Sequence, residues 1–250
     1  MIDRENTIVV IPARMASTRL PGKPLADING LPMIVQVWKR AIEADVGPVL
    51  VAAAEMEIAQ AIQAHGGDAI VTDPALPSGS DRIAAALNLR DAARQFEYVV
   101  NLQGDLPTID PLAVQRCLAG LTNEGVDIST IAAPITEDAD VANRNIVKAI
   151  APLSDDREVA FARDFLRETG AEHGPRYWHH IGIYAYRRDS LERFVRLPVS
   201  DRELDRKLEQ MRALDNGMKI AVVRVDTVPL GVDTPAELDA ARRILKAGRS

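Results

Sequence analysis

The chain has one cysteine, Cys117, so no intrachain disulfide can form and the reducing interior of a cell is the expected compartment. That thiol falls in a helix expected over Pro111 to Leu121, where it reads as a buried structural group. No apolar run approaches the roughly 20 residues that a bilayer-spanning helix needs. The opening Met1-Ile-Asp-Arg-Glu-Asn lacks the length and flanks of a signal peptide. Neither sign of charge dominates: 30 Lys and Arg stand against 36 Asp and Glu, a net charge of -6, which speaks against a broad nucleic-acid footprint. Internal repeats, linkers and low-complexity segments are missing too. These absences leave a cytoplasmic globular protein with no membrane and no nucleic acid among its expected partners, and they make any local cluster of cations informative.

What remains is ordinary globular material. With 250 residues, 47% hydrophobic and 26% charged, the chain can bury most of its apolar surface around one sizeable α/β core. Its first half alternates strand-like runs (Thr7 to Ile11, Val49 to Ala53, Asp68 to Val71, Tyr98 to Leu102) with helical periodicity over Met33 to Ala44, Met56 to Ala64 and Asp81 to Arg94. Stacked βα units of this kind predict a largely parallel sheet with its site beyond the carboxyl ends of the strands. After Asp110 the pattern changes. Strands at Ile128 to Ala133, Ile146 to Ile150 and Tyr177 to Tyr186 lack short helical crossovers, which predicts a mixed sheet or lobe. One helix over Glu203 to Leu214, a strand near Lys219 to Val225 and a closing helix follow. Thr234-Pro-Ala-Glu237 opens the last helix with a threonine N-cap, a proline at the first position and a glutamate three residues after the cap.

Four segments carry chemistry. Directly after the first strand, Ile11-Pro-Ala-Arg-Met-Ala-Ser-Thr-Arg-Leu-Pro-Gly-Lys-Pro-Leu25 crowds three cations, two hydroxyls and a glycine into a non-helical stretch. Exposed amides there can cradle phosphate oxygens while Arg14, Arg19 and Lys23 neutralise a leaving pyrophosphate. Neither GxxxxGK[ST] nor GxGxxG occurs, so this is not a P-loop or a dinucleotide fingerprint. Asn101-Leu-Gln-Gly-Asp105 ends the fourth strand and sets a carboxylate where it can reach Mg²⁺; the alternative is a turn residue. Asp233 in Gly231-Val-Asp-Thr-Pro235 is the candidate second carboxylate, against a role confined to the helix start. Pro77-Ser-Gly-Ser-Asp-Arg82 opens a helix and can offer amides to a phosphate or ribose, or simply cap. In Trp178-His-His-Ile-Gly-Ile-Tyr184-Ala-Tyr186, period-2 alternation puts His180, Gly182, Tyr184 and Tyr186 on one face. Adjacent His179 and His180 then point to opposite sides, which argues against shared zinc.

The first loop together with Ser-Gly-Ser-Asp-Arg, Leu-Gln-Gly-Asp, His-Ile-Gly-Ile-Tyr, Leu-Glu-Gln-Met-Arg and Gly-Val-Asp-Thr-Pro, in that order from residue 8 to about 245, closely resembles the CMP-Kdo synthetase (3-deoxy-manno-octulosonate cytidylyltransferase) family. The resemblance implies a Rossmann-like, glycosyltransferase-A-type nucleotide-binding domain with a mostly parallel mixed sheet and a smaller dimerisation lobe. Within a single nucleotidyltransferase domain over 1–250, the core would take residues 1–125 and 217–250, and the lobe 126–216. It implies a homodimer that turns CTP and the acidic eight-carbon sugar Kdo into CMP-Kdo and pyrophosphate for lipopolysaccharide synthesis, with Mg²⁺ as cofactor. By motif position, Arg14, Lys23, Asp105 and Asp233 would be catalytic, and Asp105 and Asp233 would carry the metal. Ala13, Arg14, Ser17, Arg19, Lys23, Gly79, Ser80, Arg82 and Gln103 would seat the nucleotide. Gln103, Arg163, His180, Tyr184, Glu209 and Gln210 would line the sugar pocket, where an arginine suits a carboxylate.

Three departures bear on the sugar and the nucleotide. Ala52-Ala53-Ala54 stands where the family shows Ala-Thr-Asp, which removes a polar group; Phe161-Ala162-Arg163 replaces Phe-Ser-Arg; and Arg206 replaces an acid three residues before Glu209. The rival readings are a modified Kdo or another acidic sugar as substrate, and a nucleotide-binding paralogue that has lost catalysis. A transferase using a preformed nucleotide sugar would carry Asp-x-Asp after the fourth strand, where this chain has Gln103-Gly-Asp105.

Overall fold

Thr7–Ala13 is an unbroken run of strand-compatible residues, buried from end to end, as expected of a strand covered on both faces of a parallel sheet. The structure, a computed structural model, describes residues 1–169 and 176–248. It divides into two units, Met1–Gln115 with Pro229–Ser250, and Arg116–Val228.

In the first unit, β1 (Thr7–Ala13) leads through the cationic loop into the hairpin β2 (Asp27–Ile28) and β3 (Leu31–Pro32). Then follow α1 (Met33–Glu43), β4 (Val49–Ala53), α2 (Met56–Gln63), β5 (Asp68–Val71), α3 (Gly79–Arg90) and β6 (Tyr98–Asn101). The order β5-β4-β1-β6 is parallel throughout. The expected strands and helices of this half are all present, with one shift. α3 starts at Gly79 and stops at Arg90, where periodicity alone suggested Asp81 to Arg94. Ser78 caps it by accepting from the Asp81 N–H at 3.1 Å. Beyond its end the Asp91 carboxylate accepts from the Gln95 and Phe96 amides at 2.8 and 3.2 Å, while Arg94 sits at φ 57°. Local side-chain bonds thus compete with helix propagation.

α4 (Pro111–Ala119) runs into the second unit, which holds β7 (Ile128–Pro134), α5 (Asp138–Ala142), β8 (Lys148–Ile150), β9 (Val159–Phe161), β10 (Asp164–Leu166) and β11 (Trp178–Arg187). It continues with α6 (Arg188–Arg196), α7 (Asp201–Arg206), α8 (Gln210–Asp215) and β12 (Ile220–Arg224). Here the sheet is mixed, as expected: β12 is parallel to β7, while β11 pairs antiparallel with β7 and β9 with β12. Cys117 is fully buried, with its Sγ donating to the carbonyls of Ser129 and Ile183 at 3.6 and 3.7 Å. Burial pushes that thiol far above its ordinary pKa, so it is an inert core group.

The single helix expected over Glu203 to Leu214 is two short ones. Lys207 adopts a left-handed conformation at φ 55°, and its N–H bonds to the Glu203 carbonyl, ending α7.

The chain closes with α9 (Pro235–Ala247), back in the first unit. Thr234 and Glu237 form the expected capping box. Leu238, Ala241 and Leu245 pack with Ile28, Met33 and Val232 in one core cluster. Burying each of the larger of these side chains contributes roughly 1.5–3 kcal/mol, which fixes the position of the segment that carries Asp233.

Candidate active site

The loop after β1 is held at several points. Glu55, just beyond the end of β4, accepts from the Met15 N–H at 2.9 Å. Ser17 Oγ accepts from the Leu20 N–H at 3.3 Å, and the Lys23 N–H donates to the Leu20 carbonyl at 3.1 Å. Gly22 turns the chain at φ 68°, a left-handed position that any side chain would strain. The turn at Lys23–Leu25 follows at once and points the lysine side chain into a cleft.

On the other side, β6 delivers Gln103-Gly104-Asp105. Gly104 is required by close approach: a Cβ there would lie 3.0 Å from the Pro12 carbonyl oxygen and 3.3 Å from Ile34 Cδ1. The Asp105 carbonyl accepts from the Val232 N–H at 2.9 Å, and Thr108 Oγ1 accepts from the Leu230 N–H at 3.0 Å. These bonds bring the distant Asp233 beside Asp105. Glu237 Oε2 takes the Asp233 and Thr234 amides at 2.8 and 2.9 Å, so helix capping is done by Thr234 and Glu237. The Asp233 carboxylate is thereby left for other partners.

Those partners are cations. Lys23 Nζ lies 2.9 Å from Asp105 Oδ2 and 2.9 Å from Asp233 Oδ1, and Arg19 Nη2 lies 2.6 Å from Asp233 Oδ2. Burial opposes the lysine charge, but the two carboxylates outweigh it and hold the Lys23 pKa above its ordinary value. Arg82 is 2% exposed, and its Nη1 donates to Thr72 Oγ1 at 2.7 Å and to the Asp73 carbonyl at 3.1 Å. It therefore braces the segment before α3 while presenting charge to the cleft. Burial lowers its pKa, Glu55 raises it and Arg14 lowers it, which places those two groups within electrostatic reach.

The cleft has a volume of about 730 Å³, in the range of nucleotide-sized ligand sites. Ala13, Arg14, Ser17, Arg19, Lys23, Gly79, Arg82, Gln103, Asp105 and Asp233 all line it. Of the residues expected at the nucleotide and metal, Ser80 alone is not among its walls; it is buried in α3, and Ser78 and Gly79 face the cleft instead. Pro12, Ala16, Thr18, Pro24 and Leu76 also line it. Apart from Thr18, one of the loop's two hydroxyls, they are small or apolar, and nothing in their residue type marked them out.

The residues expected on the sugar side, apart from Gln103, lie in the second unit. Between Ile181 and Tyr184, β11 gains two residues on its partner β7, so the parity of its faces is preserved. His180, Tyr184 and Tyr186 accordingly share one face, with ring centroids 5.6 and 6.1 Å apart in sequence along it. His180 Nε2 pairs with Thr130 Oγ1 at 3.0 Å, and burial, with His179 adding to it, pushes its pKa down to about 3. It is a neutral histidine. Burial first, then Tyr186 and Glu209, drive the Tyr184 phenol well above its ordinary pKa, which places Glu209 near it. Gln210 is buried, and its Nε2 has no hydrogen-bond partner among the described residues. Arg163 lines a different groove, with Asn123, Arg157 and Phe161.

Two departures acquire a physical reading. Ala54 is buried, with its N–H on the Ala13 carbonyl at 2.8 Å, and Glu55 supplies a carboxylate one residue later at the root of the loop. Arg206 is matched rather than loose: its Nη1 sits 2.5 Å from Asp164 Oδ1 and donates to the Phe165 carbonyl at 2.9 Å. Its charge ties α7 to β10.

Comparison with known proteins places this geometry. The cytidylyltransferase family profile matches residues 8–220. The chain is 55% identical over 241 residues to the 3-deoxy-manno-octulosonate cytidylyltransferase of Paramagnetospirillum magneticum, covering 96% of this chain and 98% of that protein. Its identity to the enzyme of the same name from Parvibaculum lavamentivorans is 57% over 239 residues, covering 95% and 92%. The solved structure of a CMP:2-keto-3-deoxy-manno-octonic acid synthetase complexed with CTP superposes with a TM-score of 0.87 at 37% identity, over 97% of this chain and 99% of that one. The fold is thus the α/β nucleotidyltransferase type that the motifs implied, and the chain belongs to the 3-deoxy-manno-octulosonate cytidylyltransferase family.

Proposed function

We propose that this chain joins CTP to 3-deoxy-manno-octulosonate, releasing pyrophosphate and yielding CMP-Kdo for lipopolysaccharide synthesis, with Mg²⁺ as cofactor. The observation that carries the reading is the cleft in which Arg14, Arg19, Lys23 and Arg82 face the convergent carboxylates of Asp105 and Asp233, in a chain of this family.

The donor set fits the metal. Asp105 Oδ2 and Asp233 Oδ1 each lie 2.9 Å from the same nitrogen, so they are no further apart than twice that distance. Mg²⁺ characteristically takes one or two carboxylates and completes its shell with substrate phosphates and water. When bound, it would neutralise charge on the phosphate oxygens. Arg14, Arg19 and Lys23 would bind the triphosphate and stabilise the pyrophosphate as it leaves. In the reaction the anomeric hydroxyl oxygen bonds to the α-phosphorus while the bond to pyrophosphate breaks and the hydroxyl proton is lost. Most of the acceleration comes from holding the two substrates in line. Gln103, Arg163, His180, Tyr184, Glu209 and Gln210 are proposed for the sugar. For His180 this means a neutral hydrogen-bonding group, in keeping with its depressed pKa. A homodimer working in the cytoplasm belongs to the same proposal, and light scattering checks the dimer.

The test is pyrophosphate release over a panel of nucleoside triphosphates and acidic sugars. Release with CTP and Kdo, dependent on Mg²⁺, is the expected result. Release with another acidic sugar and none with Kdo would keep the chemistry and replace the substrate. CTP binding without turnover on any sugar would leave a binding protein.

A further inference from the structure

The two carboxylates proposed for the metal are not free in this structure. Asp233 gives one oxygen to Lys23 and the other to Arg19, and Asp105 gives one to Lys23. Lys23 is the most enclosed of the four, with its side chain 15% exposed against 33% for Asp105, 40% for Asp233 and 60% for Arg19. Its ammonium stands at the point the carboxylates share. Two anions held so close repel one another unless a cation lies between them.

We propose that Lys23 is a placeholder for the metal: its ammonium occupies the site between Asp105 and Asp233 until a nucleoside triphosphate draws it away, so that the cleft accepts a divalent cation readily only when nucleotide is present. The inference rests on the Asp105–Asp233 metal reading and adds to it the order in which the charges exchange. A divalent ion arriving alone must displace an ammonium that already has two partners. A triphosphate offers that ammonium several phosphate oxygens in exchange, within reach of a four-carbon stem whose backbone is fixed by the turn at Lys23–Leu25. Arg19, at the rim, can follow by letting go of Asp233 Oδ2. Linkage then requires reciprocity, so metal and nucleotide each tighten the binding of the other.

The experiment is a Mn²⁺ titration followed by electron paramagnetic resonance on the full chain, first without nucleotide and then, for wild type and Asp105→Asn, with CTP. Wild type is expected to bind Mn²⁺ weakly. Lys23→Met should bind it about tenfold more tightly, the effect of removing two part-buried ion pairs of ordinary size. Lys23→Arg, which keeps the charge, should stay at the wild-type value. Lys23→Met combined with Asp105→Asn should lose the gain. Arg14→Met removes a charge that does not touch either carboxylate, and should change the affinity by less than about twofold if contact rather than general potential is responsible. Thermal melts establish that each variant is folded, and Lys23→Gln replaces Lys23→Met if that one is not. If wild type with CTP binds Mn²⁺ and Lys23→Met alone is no tighter than wild type alone, the exchange is refuted while the metal reading stands. If Asp105→Asn changes Mn²⁺ binding in no condition, the metal reading itself falls and takes the inference with it.

Discussion

Replacing Gly104 by alanine tests how closely the cleft is built. The added Cβ would meet the Pro12 carbonyl oxygen at 3.0 Å and Ile34 Cδ1 at 3.3 Å. The isoleucine can yield by a small rotation. The carbonyl cannot, because it belongs to β1, which is hydrogen-bonded between β4 and β6 and buried throughout. Relief requires the Gln103–Asp105 segment to move away by a few tenths of an ångström. Overpacking of this kind costs about 1–3 kcal/mol, which in a chain of this size lowers the melting temperature by roughly 2–12 °C. The larger effect is expected in catalysis. Asp105 follows Gly104 directly, and it is registered on Lys23 and on Val232 by bonds of 2.9 Å. A displacement approaching 1 Å costs about a hundredfold in rate, so a shift of a few tenths should lower kcat by roughly three- to tenfold. The assay is pyrophosphate release at saturating CTP and sugar, paired with a thermal melt. Gly79→Ala is the comparison, because its Cβ meets side-chain atoms and no backbone: the Pro12 ring at 3.3 and 3.7 Å and Gln103 Nε2 at 3.9 Å. A Gly104→Ala protein with wild-type melting temperature and kcat would refute the claim that backbone contact positions Asp105.

Asp105→Asn should remain folded and lose turnover by at least about a hundredfold, the scale of losing one transition-state electrostatic contact; near-wild-type rates in a steady-state assay would remove Asp105 from the catalytic set. His180 is depressed to about 3 in the folded chain and titrates near 6.5 when unfolded, so the unfolded state binds the extra proton as pH falls below 6.5. The stability it supports is complete above 6.5 and drains away towards 3, by about 1.4 kcal/mol at pH 5.5. Urea unfolding at pH 7.5 and 5.5 should show a smaller drop in His180→Gln than in wild type by that amount; equal drops would mean the imidazole is not held neutral. Glu237→Ala removes the acceptor of the Asp233 and Thr234 amides and should cost about 1 kcal/mol of stability. Its kcat should fall as well, and an unchanged kcat in a destabilised protein would show that the box caps α9 without orienting Asp233.

The parallel half of the fold was legible because its sheet strands and covering helices, unlike the two-residue β2 and β3, are long enough to carry their own period: the five-residue apolar run Val49–Ala53 can hardly be anything but a buried strand. The second unit was harder to read. β9 and β10 are three residues each, too short for alternation to register. α6 buries only Leu191 and Phe194 among its apolar residues, so its pattern is faint beside its charges. The break at Lys207 depends on a positive φ that no lysine advertises. Among the residues lining the cleft, those named from the motifs include the uncharged Ala13, Ser17, Gly79 and Gln103 as well as the charged groups, whereas the apolar walls Pro12, Ala16, Pro24 and Leu76 carry no chemistry to mark them. Glu55 belongs to neither group. Its importance lies in a bond to a backbone amide forty residues away, and the only hint of it was the missing polar residue at position 54.

The bond between the Val232 amide and the Asp105 carbonyl also orders events in time. A ribosome releases Lys23 and Asp105 long before Asp233, which lies 210 residues after the lysine. Until Asp233 emerges, a nascent chain holds Arg14, Arg19 and Lys23 with only one of the two carboxylates, Asp105. Competence for the reaction therefore arrives in a single late step, and a chain cut short between Asp233 and α9 holds the second carboxylate without the packing that would seat it.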